Sequence, residues 1–93
     1  MARKAAPEWR YLDQNGPWMA VVNVRSSTAE WTNIKLVLLR GANGQTKGRF
    51  YTLAWNGERF AESVDLVRLQ DRHPDIFAWV HRLCAGPTRL RAV

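Results

Sequence analysis

The sequence predicts an α+β domain, in which an antiparallel meander sheet of four to five strands is followed by two C-terminal helices packed on one face of the sheet. Within residues 8–61, short runs alternate apolar and polar side chains, as expected for half-buried strands. Three Asn-Gly pairs, the dipeptide best suited to tight hairpin turns, divide these runs. Over 62–86 the apolar spacing changes to that of helices.

The length of the chain bounds its organisation. Its 93 residues are enough for one hydrophobic core and too few for two. We expect a single domain over 1–93, with a flexible basic arm at 1–7 and a frayed basic tail at 87–93. The single cysteine excludes an internal disulfide, and no apolar run approaches the roughly 18 residues of a membrane span. We therefore expect a cytoplasmic protein with no membrane partner.

The first three strands are predicted around and after the pair Asn15-Gly16. A strand over 8–13 precedes this pair, and strands over 18–25 and 31–39 follow it. The pattern leaves the orientation of the first strand open, and with it whether Trp9 and Tyr11 are stacking residues. Burial sets the register of the second and third strands, since a slip of one residue would turn every side chain to the wrong face. The apolar faces meet when the pairs are Trp18 with Leu38, Ala20 with Leu36, Val22 with Ile34 and Val24 with Thr32.

The fourth strand, predicted over 50–55, follows an exposed, mobile loop at 41–48 that contains the second Asn-Gly pair. The third pair, Asn56-Gly57, predicts a hairpin with a two-residue loop, in which Trp55 pairs with Glu58 at the start of a fifth strand. Because the preceding loop is long, the register between the third and fourth strands stays open.

Two registers of the fourth strand are compatible with the pattern. One of them sends Tyr51, Leu53 and Trp55 to the core together with Phe60. The other sends Tyr51, Leu53 and Trp55 to the opposite face of the sheet, which then becomes strongly apolar.

Two helices are predicted after the sheet. Ser63 is placed to cap a helix that runs to about Arg72, and Pro74 suits the first turn of a second helix. Gly86 followed by proline is a stop signal for that second helix. One continuous apolar arc of the second helix is formed by Ile76, Phe77, Trp79, Val80, Leu83 and Cys84. Trp18 and Trp79 follow the apolar faces of their elements, so we assign both to the core.

The charge is positive and unevenly distributed. Fourteen Lys and Arg stand against eight Asp and Glu, which gives a formal net charge of +6. The stretch ending at residue 56 holds four of the five tryptophans and eight Lys and Arg against three acids. Cations interleaved with aromatic rings are typical of single-strand binding, because cations meet phosphates while rings stack on bases. The sequence favours a small, basic, non-catalytic nucleic-acid-binding domain that recognises single strands or the shape of the backbone.

The candidate nucleic-acid-binding residues lie on the sheet face that the helices leave uncovered, and in the loop beside it. The predicted register puts Arg25 opposite Trp31 on that face. The full candidate set is Arg25, Trp31, Lys35, Lys47 and Arg49. The competing interpretation of the Arg25 and Trp31 pair is a purely structural cation–π contact.

An interface with another protein is the second interpretation of the same face. Met19, Val21 and Val37 share it, and Tyr51 joins them in one of the two registers. Large exposed apolar patches commonly mark interaction sites, so a homodimer or a docked protein is expected to cover them. The alternative function is therefore a protein-binding accessory or inhibitor module, such as one from a phage or other mobile element. Its partner would be acidic or would itself handle nucleic acid.

The sequence predicts no enzyme, no cofactor and no metal site. His81 and Cys84 are three residues apart on one helix, but a closed zinc site needs two more ligands. The better interpretation of Cys84 is a small buried hydrophobic residue. The segment 41–48 has the glycines and the lysine of a phosphate loop, but it joins two strands, whereas a phosphate loop leads into a helix.

Overall fold

The structure is a computed structural model that describes residues 9–23, 27–28, 30–39 and 46–86, with the backbone alone at 46–49. Four antiparallel strands form one sheet in sequence order, and two helices follow. The elements are β1 (Trp9–Asn15), β2 (Trp18–Asn23), β3 (Thr32–Leu39), β4 (Thr46–Trp55), α1 (Val64–Arg72) and α2 (Pro74–Ala85). The predicted α+β meander with two C-terminal helices is confirmed, with four strands. The predicted arm, the tail and the second Asn-Gly pair lie outside the described residues.

The hairpin between β1 and β2 turns at Gly16 and Pro17. Asn15 pairs with Trp18, so these two residues form the whole loop. Gly16 has a φ of 59°, which a residue with a side chain rarely adopts, and glycine at the first position is what such a two-residue turn needs. The strands therefore flank this Asn-Gly pair as predicted, with Asn15 itself ending β1.

A β-bulge in β1 re-aims its side chains. Tyr11 pairs with Val21 and Asp13 pairs with Ala20, and the register shifts between the two pairs. Residues two apart on a regular strand share a face, but the extra residue at the bulge sends Tyr11 and Asp13 to opposite faces. Leu12, inside the bulge, is half-buried and packs against the core.

The register of β2 and β3 agrees with the burial argument. Trp18 pairs with Leu38, Ala20 with Leu36 and Val22 with Ile34, as predicted. The predicted pairs that involve Val24 and Arg25 lie outside the described residues.

The register of β3 and β4 settles the orientation of the fourth strand. Tyr51 pairs with Leu36, Leu53 with Ile34 and Trp55 with Thr32, so all three β4 residues face the core. Tyr51 is only 7% exposed, which removes it from the candidate interface on the other face. β4 also begins at Thr46, inside the segment that we predicted as a loop.

The predicted two-residue hairpin at Asn56-Gly57 is wrong in register. Trp55 pairs with Phe60 and not with Glu58, in an isolated bridge rather than a fifth strand. The Asn56 side chain is the reason, because its Oδ1 accepts from the backbone N–H groups of both Glu58 and Arg59 at 2.9 Å. This Asx-type turn widens the loop by two residues. The shift keeps Phe60 on the core face, where its ring meets that of Trp55 edge-to-face at 4.8 Å.

Helix α1 begins at its predicted cap and covers the edge of β4. The Ser63 hydroxyl accepts from the backbone N–H of Leu66 at 3.1 Å, as an N-cap should. The backbone N–H of Thr52, on the edge strand, donates to Asp65 Oδ2 at 2.8 Å. Asp65 thus occupies one backbone donor on the outer edge of β4, a kind of group that an open strand edge can offer to another chain.

Helix α2 supplies the other half of the core. Ile76, Trp79, Val80 and Cys84 are buried against the sheet, and the rest of the predicted apolar arc packs beside them. Trp79 Nε1 donates to Asp13 Oδ2 at 3.1 Å, which ties α2 to β1. The core cluster consists of Trp18, Ala20, Ile34, Leu36, Tyr51, Leu53, Trp55, Phe60, Leu66, Leu69, Ile76, Trp79, Val80 and Cys84.

The hydrogen bond between Trp79 and Asp13 predicts a stability effect. Replacing Asp13 with Ala leaves the partly buried indole N–H without its acceptor, and we expect the free energy of unfolding to fall by about 1–2 kcal/mol. Chemical denaturation measures this loss. Trp79→Phe and the double variant complete the cycle, and fully additive losses would show that the bond contributes nothing.

The buried thiol of Cys84 predicts a pH effect. Burial raises its pKa from 9.0 to about 12. The unfolded chain releases this proton first, so the free energy of unfolding should fall as the pH rises from about 9 towards about 12, and be unaffected by the thiol below that window. Denaturation of the wild type and of Cys84→Ala at several pH values isolates the effect. Parallel pH profiles for the two proteins would contradict it.

Candidate nucleic-acid interface

The two helices cover one face of the sheet, and the strands therefore present their other face outward. Directly opposed residues of neighbouring strands point the same way, so the register defines this second face. Tyr11 is opposite Val21 and Val21 opposite Lys35, while Met19 is opposite Val37 and Val37 opposite Phe50. We call this surface the open face. Its apolar, aromatic and charged members are Trp9, Tyr11, Met19, Val21, Lys35, Val37 and Phe50, and Gln14, Asn23, Asn33, Thr52 and Ala54 share it.

Three aromatic rings are exposed on the open face. Trp9 is 39%, Tyr11 62% and Phe50 51% exposed. The aromatic rings of the core face contrast with them, since Trp55 and Tyr51 are buried beneath the helices. The sheet thus separates its aromatic residues by face, into those that pack the core and those that can meet a ligand.

The Lys35 ammonium lies between two of these rings, those of Phe50 and Trp9. Lys35 lies on the central strand β3, and its Nζ is 4.2 Å from the ring centroid of Phe50 and 5.2 Å from that of Trp9. Each ring attracts the ammonium by about 0.5–1 kcal/mol at an exposed site. Asp13 is the one acid in the described strand side chains, and it points to the core side, where it binds Trp79. The open face therefore combines apolar, aromatic and uncharged polar side chains with one cation at its centre.

A hollow of about 220 Å³ is set into the open face. Its lining residues are Trp9, Met19, Val21, Lys35 and Val37. Val21 and Val37 are nearly buried and form its floor, whereas Trp9 is exposed at its side. The hollow thus combines an apolar floor, an indole wall and an ammonium group.

The predicted binding residues are distributed differently from the expectation. Lys35 is on the open face as predicted, but its ring contacts are with Phe50 and Trp9. Trp31 is half-buried just before β3, where its backbone N–H donates to Thr28 Oγ1 at 3.0 Å. Arg25 lies outside the described residues, and so do the side chains of Lys47 and Arg49.

The predicted interface residues Met19, Val21 and Val37 do share the open face. Their coverage by a partner stays a prediction. The exposed rings beside them were not in the candidate set. Trp9 and Tyr11 belong to an edge strand whose orientation the sequence pattern left open, and the orientation of Phe50 depended on the undecided register. The signal that could have found Phe50 is the parity of β4, because a core-facing Tyr51 forces its neighbour outward.

The His, Cys, Asp and Glu side chains of the described residues form no second candidate site. No group of three or more His, Cys, Asp and Glu side chains among the described residues could hold a metal ion. The His81 ring packs edge-on against Trp55 at 5.6 Å, and Cys84 is buried. Neither α1 nor α2 is long and apolar enough to cross a membrane.

No protein family, curated protein or solved structure matches the chain.

Proposed function

We propose that this protein binds single-stranded nucleic acid on the open face and catalyses no reaction there. The observation that carries the proposal is the Lys35 ammonium held between the exposed rings of Trp9 and Phe50. A cation for the phosphates and flat rings for the bases are the two parts that single-strand binding requires.

The exposed rings support stacking by more than one base. Trp9 and Tyr11 are two residues apart on β1, which corresponds to about 7 Å along a strand. Phe50 lies on β4, at the edge of the sheet opposite β1, and the Lys35 ammonium lies between its ring and that of Trp9, 4.2 Å and 5.2 Å from the two centroids. Stacking contributes about 1–3 kcal/mol per base, and it needs unpaired bases whose faces are free. This requirement favours a single strand over a duplex.

The charge favours an anionic partner over a second copy of the chain. Two copies that met through the open face would bring their central Lys35 ammonium groups into one desolvated apolar interface, which is costly without counter-charges. A phosphate backbone supplies those counter-charges. The basic stretch ending at residue 56, which contains β1 to β4, adds a long-range attraction for the same class of ligand.

The role of Lys35 is tested by Lys35→Met, which keeps the aliphatic stem and removes the charge. We expect weaker binding of a short homothymidine oligonucleotide at low salt. The slope of log K against log salt concentration should also become shallower by about 0.7, the value for one phosphate contact on a single strand. Arg68→Met is the matched control, because it removes one positive charge from the exposed side of α1, and it should leave the salt slope unchanged. Fluorescence anisotropy of a labelled oligonucleotide measures both quantities.

Two results would contradict the proposal. One is no binding of the oligonucleotide by the wild type at low salt. The other is an equal effect of Lys35→Met and Arg68→Met, which would make the binding a property of net charge alone. An acidic protein partner that stays bound after nuclease treatment, and is lost in Lys35→Met, would favour the protein-binding alternative instead.

A further inference from the structure

The hollow in the open face has features that a flat stacking platform lacks. Exposed rings alone can stack on bases without any concavity in the sheet. Here the side chains of Val21 and Val37 form a recessed floor, and Trp9 and Lys35 stand beside it. The hollow has a volume of about 220 Å³ and is open to solvent.

The side chains that line the hollow match the chemical groups of one nucleotide. The apolar floor of the hollow favours a flat, poorly hydrated group, and its indole side can meet the face of such a group. Its lysine supplies a single positive charge close to the hollow, which suits one phosphate. A nucleobase joined to its own phosphate is the ligand class that presents a flat ring and one negative charge at short separation.

On the basis of the proposed function, we infer that the hollow lined by Trp9, Met19, Val21, Lys35 and Val37 holds one unpaired base of a single-stranded nucleic acid. The neighbouring phosphate meets the Lys35 ammonium, which exchanges its contacts with the two rings for the phosphate oxygens. A base within a duplex cannot enter, because its edges are paired and its faces are stacked. The inserted base is thus the element that makes the site select single strands.

The experiment fills the hollow without adding a ring. Val21→Met and Val37→Met each extend a longer side chain from the floor, and either variant suffices if the other does not fold. Val67→Met is the matched control, because it makes the same exchange of valine for methionine on the exposed side of α1, away from the open face. Each protein is titrated with a homothymidine oligonucleotide and with a sugar-phosphate oligomer of equal length that lacks bases. Circular dichroism confirms that each variant is folded.

We expect the filled variants to bind the homothymidine oligonucleotide about 5- to 150-fold more weakly than the wild type, the loss of one stacked base. Their affinity for the oligomer without bases should stay at the wild-type value, and Val67→Met should change neither affinity. Filled variants that bind the oligonucleotide as the wild type does would overturn the inserted base while leaving the proposed function intact. A wild type that binds neither ligand would overturn both.

Discussion

The burial of Tyr51, Leu53 and Trp55 beneath the two helices is the constraint on which the rest of the surface depends. Side chains alternate along a strand, so placing these three residues in the core forces Phe50 and Thr52 to the other side. The register carries that choice across the sheet to β3 and then to β2, because a residue and its direct partner share a face. The helices cover only one face, and the rings of Trp9, Tyr11 and Phe50 on the other face are exposed.

The edge strand β1 completes the open face through its bulge. In a regular strand the side chains of Tyr11 and Asp13 would point to the same side of the sheet. Because of the bulge, Tyr11 lies on the open face and Asp13 on the face that the helices cover. The hydrogen bond from Trp79 holds that arrangement in place and ties α2 to the edge of the sheet. Asp13 and Tyr11 therefore contact different sides of the sheet, and the open-face side chains of β1 can be replaced without removing a contact to the core.

The sequence pattern predicts the fold better than it predicts the site. The β2 and β3 register followed from matching two apolar faces, and α2 followed from one continuous apolar arc with proline and glycine at its ends. The turn at Asn56 was predicted with the wrong pairing, because the pattern of faces is unchanged by a shift of two residues and gives no sign of the side-chain hydrogen bonds. Trp9 and Tyr11 were not placed, because an edge strand pairs on one side only and its bulge leaves no periodic signal. Tyr51 belongs to the candidate interface in only one of the two β4 registers that the sequence allows, and the long loop before β4 gives no means of choosing between them.

Chemical-shift mapping of backbone amides during titration with a homothymidine oligonucleotide tests most directly whether the open face is the binding surface. We predict that the largest shift changes fall on open-face residues of the four strands, with Lys35, Phe50 and the Trp9 indole N–H among them. The exposed side of α1, including Val64 and Val67, should change least, because it lies on the far side of the sheet. Changes concentrated on α1 and α2, with the open face unaffected, would contradict the account.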